Sequence, residues 1–243
     1  MRTKSIRMQR CLFWALPLAL TSVLLTTMTL SGAPAEQNKN PNPKILPVKA
    51  DAFGQSYGAW SAAWWQWSLS IPADHNPSLD ATGADAAQGQ SGHVWFLAGI
   101  FGAGGSVERT VTIPAGKALF LPIYNVVEIN APQLGDPPWS AARELELRQL
   151  AADSIESVTD LSADIDGRPV VDLASYRVQD DGPFNVDLPD NNVFDVPADT
   201  YGPSVSDGYF LMLAPLPAGK HTIHFSSTAG GVTQEVTYYL SVK

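Results

Sequence analysis

Residues 207–243 read DGYFLMLAPLPAGKHTIHFSSTAGGVTQEVTYYLSVK. Three strand-like runs, Gly208–Leu213, His221–Ser226 and Val232–Val242, are parted by the turn signals Pro217-Ala218-Gly219-Lys220 and Gly230-Gly231. The same Pro-Ala-Gly-Lys occurs at 114–117, again between two strand-like runs. Proline presets one turn residue and glycine accepts the left-handed one, so this is reuse of a turn and not an internal repeat.

Working outward from this stretch, the chain continues to read as β. Phe184–Leu188 is a short strand, and Leu161–Asp166 and Pro169–Val178 form a hairpin about Asp166-Gly167. His93–Ala98, Val107–Ile113 and Ala118–Ile123 are expected as consecutive antiparallel strands, giving about nine strands in all. Two helices interrupt them. In Phe53–Ile71, the residues Phe53, Tyr57, Trp60, Trp64, Trp67 and Ile71 share an arc of roughly 80°, with Trp65 off it and Pro72 ending the run. Trp139–Ser157 is a second helix, capped by Asp136, with Leu147, Leu150, Ala151 and Ile155 on one side and Glu144 intruding. Between Ile71 and Gly92 the Pro, Asp, Asn and Gly content predicts a long ordered loop. With no regular strand–helix alternation, the expected fold is mainly β: an antiparallel β-sandwich, immunoglobulin-like or jelly-roll, with an N-terminal aromatic amphipathic helix and one inserted helix. A doubly wound fold is disfavoured.

The N-terminal 35 residues have the parts of a secretory signal: basic Arg2, Lys4, Arg7 and Arg10, an apolar run from Cys11 to Leu30, and small residues ending at Ala35. Residues 36–50, rich in Asn, Pro, Lys and Gln, predict a flexible leader, and 51–243 a single domain. The expectation is an exported protein, periplasmic or extracellular, without stable membrane insertion once the signal is removed. That removal takes four of the 15 basic residues and none of the 24 acidic ones, moving the net charge from −9 to −13. Nucleic acid is thereby disfavoured as a partner. The only cysteine, Cys11, lies within the signal, so the domain must be stabilised without disulfides by its core, and the roughly 208 residues that remain are enough to bury one.

Three segments together carry a resemblance: Trp64-Trp65-Gln66-Trp67 with Asn76-Pro77 and Asp80; Gly89-Gln90-Ser91-Gly92-His93-Val94-Trp95-Phe96-Leu97; and Asp207–Phe210 through Lys220–Phe225. They resemble a family of exported bacterial proteins of unknown function, over most of 60–242. The resemblance implies no catalytic residue. Members carry cysteines near the positions of Ala86 and Thr110, so it implies that this chain has lost a disulfide.

Familiar catalytic patterns are missing. Gly89-Gln90-Ser91-Gly92-His93 lacks the final glycine of a nucleophile elbow and leads into a strand. Gly116-Lys117 is followed by Ala118, which breaks a phosphate loop, and Gly99, Gly102, Gly104 and Gly105 have the wrong spacing for a dinucleotide site. His221 and His224 fall on opposite faces of one strand, so they are read as structural. No cofactor is expected, with calcium the one cation left open: Asp187, Asp190 and Asn192 offer oxygen ligands on a turn, without the spacing of a twelve-residue calcium loop. Trp139 beside two prolines is the candidate sugar platform, whereas Trp60, Trp64 and Trp67 share the core-facing arc. Asn125 and Glu128 stand at a strand end where Asp80 and Gln90 of the long loop are expected to converge on a pocket. The leading expectation is a non-catalytic binding or structural module for an envelope or extracellular polysaccharide, or for an envelope protein. The alternative is a secreted glycosidase-like hydrolase whose carboxylates meet only in the folded chain.

Overall fold

The hairpin read from the C-terminal stretch is formed: β9 (Gly219–Ala229) and β10 (Val232–Val242) pair antiparallel about Gly230-Gly231. In the computed structural model residues 42, 44–102 and 104–243 are described, all within one compact unit, Lys39–Lys243. The expected signal segment, 1–35, and Cys11 lie outside the described residues. Among the described residues no helix is long and apolar enough to cross a membrane.

Before β9 come β1 (Val94–Phe96), β2 (Gly105–Ile113), β3 (Ala118–Ile129), β4 (Val158–Ile165), β5 (Arg168–Pro169), β6 (Arg177–Gln179), β7 (Phe184–Leu188) and β8 (Asp199–Leu213). They make two five-stranded sheets, one ordered β1-β3-β8-β6 with β7 also paired to β8, the other β2-β10-β9-β4-β5. The fold is mainly β and sandwich-like, as expected, but not wholly antiparallel. β1 runs parallel to β3, and β2 runs parallel to β10 in the opposite sheet. The expected run of three antiparallel neighbours at 93–123 is therefore corrected: the chain crosses from the first sheet to the second and back. Burial explains the crossing. The second half of β2 alternates, burying Arg109, Val111 and Ile113, which suits the second sheet with its one wet face. Ala118–Ile123 of β3 is buried throughout, which suits a strand covered on both sides.

Helix α1 (Tyr57–Leu69) covers one side of that strand. Ser56 caps it, its Oγ accepting from Ala59 N at 3.0 Å. Phe53, the predicted start, lies outside the helix, exposed and at φ 55°, so α1 begins four residues later than expected. Tyr57 fixes the helix to the sheet: its hydroxyl donates to Leu46 O (2.6 Å) and accepts from Met212 N (3.0 Å), and its ring meets Phe120 edge-on. The buried surface is wider than the predicted arc, since Ser61, Trp65 and Ser68 are also buried. The reason is that the 71–92 loop covers the helix from the other side, with Asn76 Nδ2 donating to Ser68 O and Trp67 Nε1 to Gln88 O.

Other boundaries shift for local reasons. Helix α2 (Ala141–Glu156) is capped by Ser140, whose Oγ accepts from Arg143 N; Asp136 instead accepts from Ala131 N. Leu147, Ala151 and Ile155 are buried but Leu150 is exposed, and Glu144 is satisfied by Arg148, which also reaches buried Asp180. The strand expected over 169–178 is cut to β5 and a 3-10 turn at Leu173–Tyr176, after which β6 joins the other sheet. β8 starts nine residues before the predicted Gly208 because its polar residues are buried with partners: Asp207 accepts from Arg177 and Gln179, and Ser206 Oγ lies 3.3 Å from Ser61 Oγ. The leader is not free at its end, since Ile45 is 2 % exposed and Leu46 N donates to Met212 O at 2.8 Å.

Trp64 and Trp95 are both buried, but Trp64 Nε1 donates to Leu97 O (2.9 Å) whereas Trp95 Nε1 has no partner among the described residues. Each Trp→Phe change leaves a similar void; only the first also orphans a carbonyl, and the second removes an orphaned donor. Chemical denaturation is therefore expected to find W64F less stable than W95F by at least about 1 kcal/mol. Equal stabilities would contradict this reading of Trp95.

Candidate functional site

Three segments distant in sequence meet in one open cleft of ≈ 590 Å³. The first wall is a stripe of α1, with Trp60, Ala63 and Trp67 and then Ser70 at its C-terminal cap, three or four residues apart and therefore stacked along one side. The second is the end of the long loop. Gly89 has φ 62°, and a Cβ there would stand 3.1 Å from the Trp67 indole, so both backbone and space ask for glycine. Gln90 locks this loop to β1: Nε2 donates to Ala86 O (3.0 Å) and Phe96 O (2.8 Å), and Oε1 accepts from Phe96 N (2.9 Å). Lys117 Nζ donates to Gly92 O, closing the turn from outside. The third wall is β7, where Asn185 and Asp187 lie two apart and so share a side. Gln66 Nε2 donates to Asn185 O at 3.0 Å and ties this wall to the first.

The floor is aromatic. Trp60 and Trp67 each pack on Phe96, with ring centroids 6.1 and 5.3 Å apart. Both indole N–H groups are spent on backbone, Trp60 on Ala52 O and Trp67 on Gln88 O, each at 2.8 Å, so the rings turn carbon surface toward the cleft. The rim is polar and unspent. Gln55, Ser91, His93 and Asn185 make no side-chain hydrogen bond to the described residues. Asp187 accepts from Thr200 Oγ1 through Oδ1 (2.6 Å), which orients the carboxylate and leaves Oδ2 available.

The residues singled out in the sequence fall elsewhere, apart from Asp187. Asp80 organises its own loop, accepting from Thr82 N and Oγ1 at 2.7 Å and from Asp85 N at 3.0 Å. Burial pushes its pKa up, but these hydrogen bonds outweigh that and hold it below the ordinary value. Gln90 is consumed by the clamp on β1. Asn125 sits in β3 opposite Gly208, its Nδ2 buried without a partner among the described residues. Glu128, further along β3, is pushed up to about 7 by burial, against the attraction of Arg143 on α2. No hydrogen bond or ion pair among the described residues joins Asp80 or Gln90 to Asn125 or Glu128, and none of the four lines the cleft. Trp139 is partly exposed just before α2 and is not part of the cleft.

Of the calcium candidates, Asn192 is buried and fully engaged, its Nδ2 donating to Pro189 O and Val196 O and its Oδ1 accepting from Phe194 N. Its carboxamide shapes a turn, Asp190 is exposed beside it, and Asp187 faces the cleft. Among the described residues no three His, Cys, Asp or Glu side chains are grouped to hold a metal. His221 pairs with Asp166 and His224 with Glu235, each at 2.9 Å.

No family model and no curated protein matches the chain. Among solved structures it is similar to the chain in "Structure of PbICP-C in complex with falcipain-2", at 9 % identity and a TM-score of 0.25, over 63 % of this chain and all of that one. A likeness that loose fixes no role.

The sequence missed this cleft. Periodicity placed Trp60 with the core-facing residues, although it is only partly buried. The one usable signal was the stripe Ala63, Gln66 and Ser70 beside the tryptophans, too polar for a helix side packed on a sheet.

Proposed function

We propose that the protein is an exported, non-catalytic binding module that holds an envelope or extracellular polysaccharide in the cleft between α1, the Gly89–His93 turn and β7. The observation that carries this reading is the pairing of an aromatic floor with side-chain amides, a hydroxyl and a carboxylate oxygen that have no partners of their own. A pyranose ring offers the complement: one C–H face for an indole and a belt of hydroxyls that both donate and accept. The hydrolase alternative fares less well. It needs two carboxyl groups about 5–10 Å apart, and Asp187 is the only carboxylate among the described residues that line the cleft. Glu128 has the raised proton affinity of a general acid, but it lies beneath α2 and away from this cleft.

A thermal-shift titration with oligosaccharides tests the reading. Ligand at 100 times its Kd contributes about 2.7 kcal/mol, which raises Tm by roughly 5–10 °C in a domain of this size. Trp60→Ala and Asn185→Ala are each expected to weaken binding at least tenfold. Asn185, an exposed side chain, serves as the change that spares the fold. A saccharide that binds both variants as tightly as the parent would place its site elsewhere and sink the proposal.

A further inference from the structure

We infer that the cleft selects uncharged glycans and rejects acidic ones, with Asp187 as the residue that sets this preference; the inference rests on the saccharide reading above. No lysine or arginine is among the cleft-lining residues. Lys117 is not among them; its ammonium, still charged, donates to Gly92 O beside the turn. Among the described lining residues the one fixed charge is the Asp187 carboxylate, whose Oδ1 accepts from Thr200 Oγ1 and whose Oδ2 makes no hydrogen bond to the described residues. A uronate entering here gives up water, finds no lysine or arginine among the lining side chains, and faces the like charge of Asp187 in a chain of net charge −9. A neutral ring meets none of these costs. It stacks on Trp60, while Asp187 Oδ2 accepts from its hydroxyls and the Asn185 and Gln55 amides donate and accept. Discrimination therefore comes from repulsion of the wrong ligand as much as from attraction of the right one. A cleft of ≈ 590 Å³ lies within the range that encloses most of a small-molecule ligand, so a short stretch of glycan fills it.

Isothermal titration of the purified protein with neutral glucose hexasaccharides, β-1,4- and α-1,4-linked, and with hexagalacturonate, at low and at 0.5 M salt, separates the cases. The expected result is binding of a neutral hexasaccharide with hexagalacturonate at least tenfold weaker at low salt, the gap narrowing as salt screens the carboxylates. Asp187→Asn is expected to narrow the same gap at low salt, both by weakening the neutral ligand severalfold and by relieving the acidic one. Hexagalacturonate binding as tightly as the neutral sugars, lost on Trp60→Ala, would overturn the charge preference while leaving the saccharide cleft standing. Absence of binding by every sugar would overturn the saccharide reading, and this inference with it.

Discussion

Replacing Arg109 by methionine is expected to lower stability by about 3–5 kcal/mol, the largest single effect of any side chain described above. Arg109 is 1 % exposed and forms no ion pair among the described residues. Its charge is held by dipoles instead. Nε donates to Asp80 O (2.7 Å), Nη1 to Ala98 O (2.7 Å) and the Tyr238 hydroxyl (2.8 Å), and Nη2 to Gly99 O (3.0 Å). The Tyr238 hydroxyl in turn donates to Ala98 O and accepts from Ala98 N. One guanidinium thus joins the second sheet to the long loop and to the crossover after β1. Methionine fills similar space but leaves the carbonyls of Asp80 and Gly99 without their donor, which is why the cost exceeds that of an ordinary surface change. The check is thermal unfolding: a fall of roughly 10 °C is expected, and a fall under about 2 °C would contradict the account of this junction.

Glu128→Gln should have the opposite sign and should depend on pH. The folded pKa, about 7, lies above the ordinary value of 4.5 because burial disfavours the charged form. Between these values the folded chain holds more protons than the unfolded one, so this group's contribution to stability falls as pH rises from about 4.5 to 7. Below that window the carboxyl is neutral in both states and costs nothing. Above it, the folded state carries a half-buried carboxylate whose neighbour Arg143 is already shared with Asn130, Asp136 and Glu146. The cost there is about 3 kcal/mol. Glutamine copies the neutral carboxyl, so Tm is expected to rise by about 5 °C at pH 8 and to be unchanged at pH 4.5. An equal shift at both pH values, or a loss at pH 8, would show that the Glu128 charge is not the cause.

How much of this was legible in the sequence depends on the range of the interactions involved. The β9–β10 hairpin was, because Gly230-Gly231 joins strands that are neighbours in the chain. The aromatic helix was, because its periodicity is local. The parallel pairings β1–β3 and β2–β10 were not: they link segments separated by a whole strand or by half the domain, and no turn residue announces them. β8 was cut short in the sequence reading for a related reason. Ser206 and Asp207 look like a loop, and only their distant partners, such as Arg177 and Ser61, allow their burial.

The site shows the same division. Asp80, Gln90 and Asn192 were chosen because polar side chains in long loops are often functional, yet each spends its hydrogen-bonding groups holding its own loop in place. The groups left free are at Gln55 and Asn185, in segments that carry no motif, and at Ser91 and His93, in a segment that carries the resemblance but reads only as a failed nucleophile elbow. Their meeting is produced by the packing of α1 against β7 and the pinned turn at Gly89, about a hundred residues apart. Asp187 was singled out as a calcium ligand and stands instead on the cleft wall.

The most direct test follows the tryptophan indole N–H signals by two-dimensional NMR while a binding oligosaccharide is added. Trp60 and Trp67 line the cleft, whereas Trp139 and Trp95 do not, so the protein carries its own internal controls. The cleft account predicts that Trp60 and Trp67 shift together and saturably while Trp139 and Trp95 stay in place. A saturable shift of Trp139 with Trp60 unmoved would contradict it.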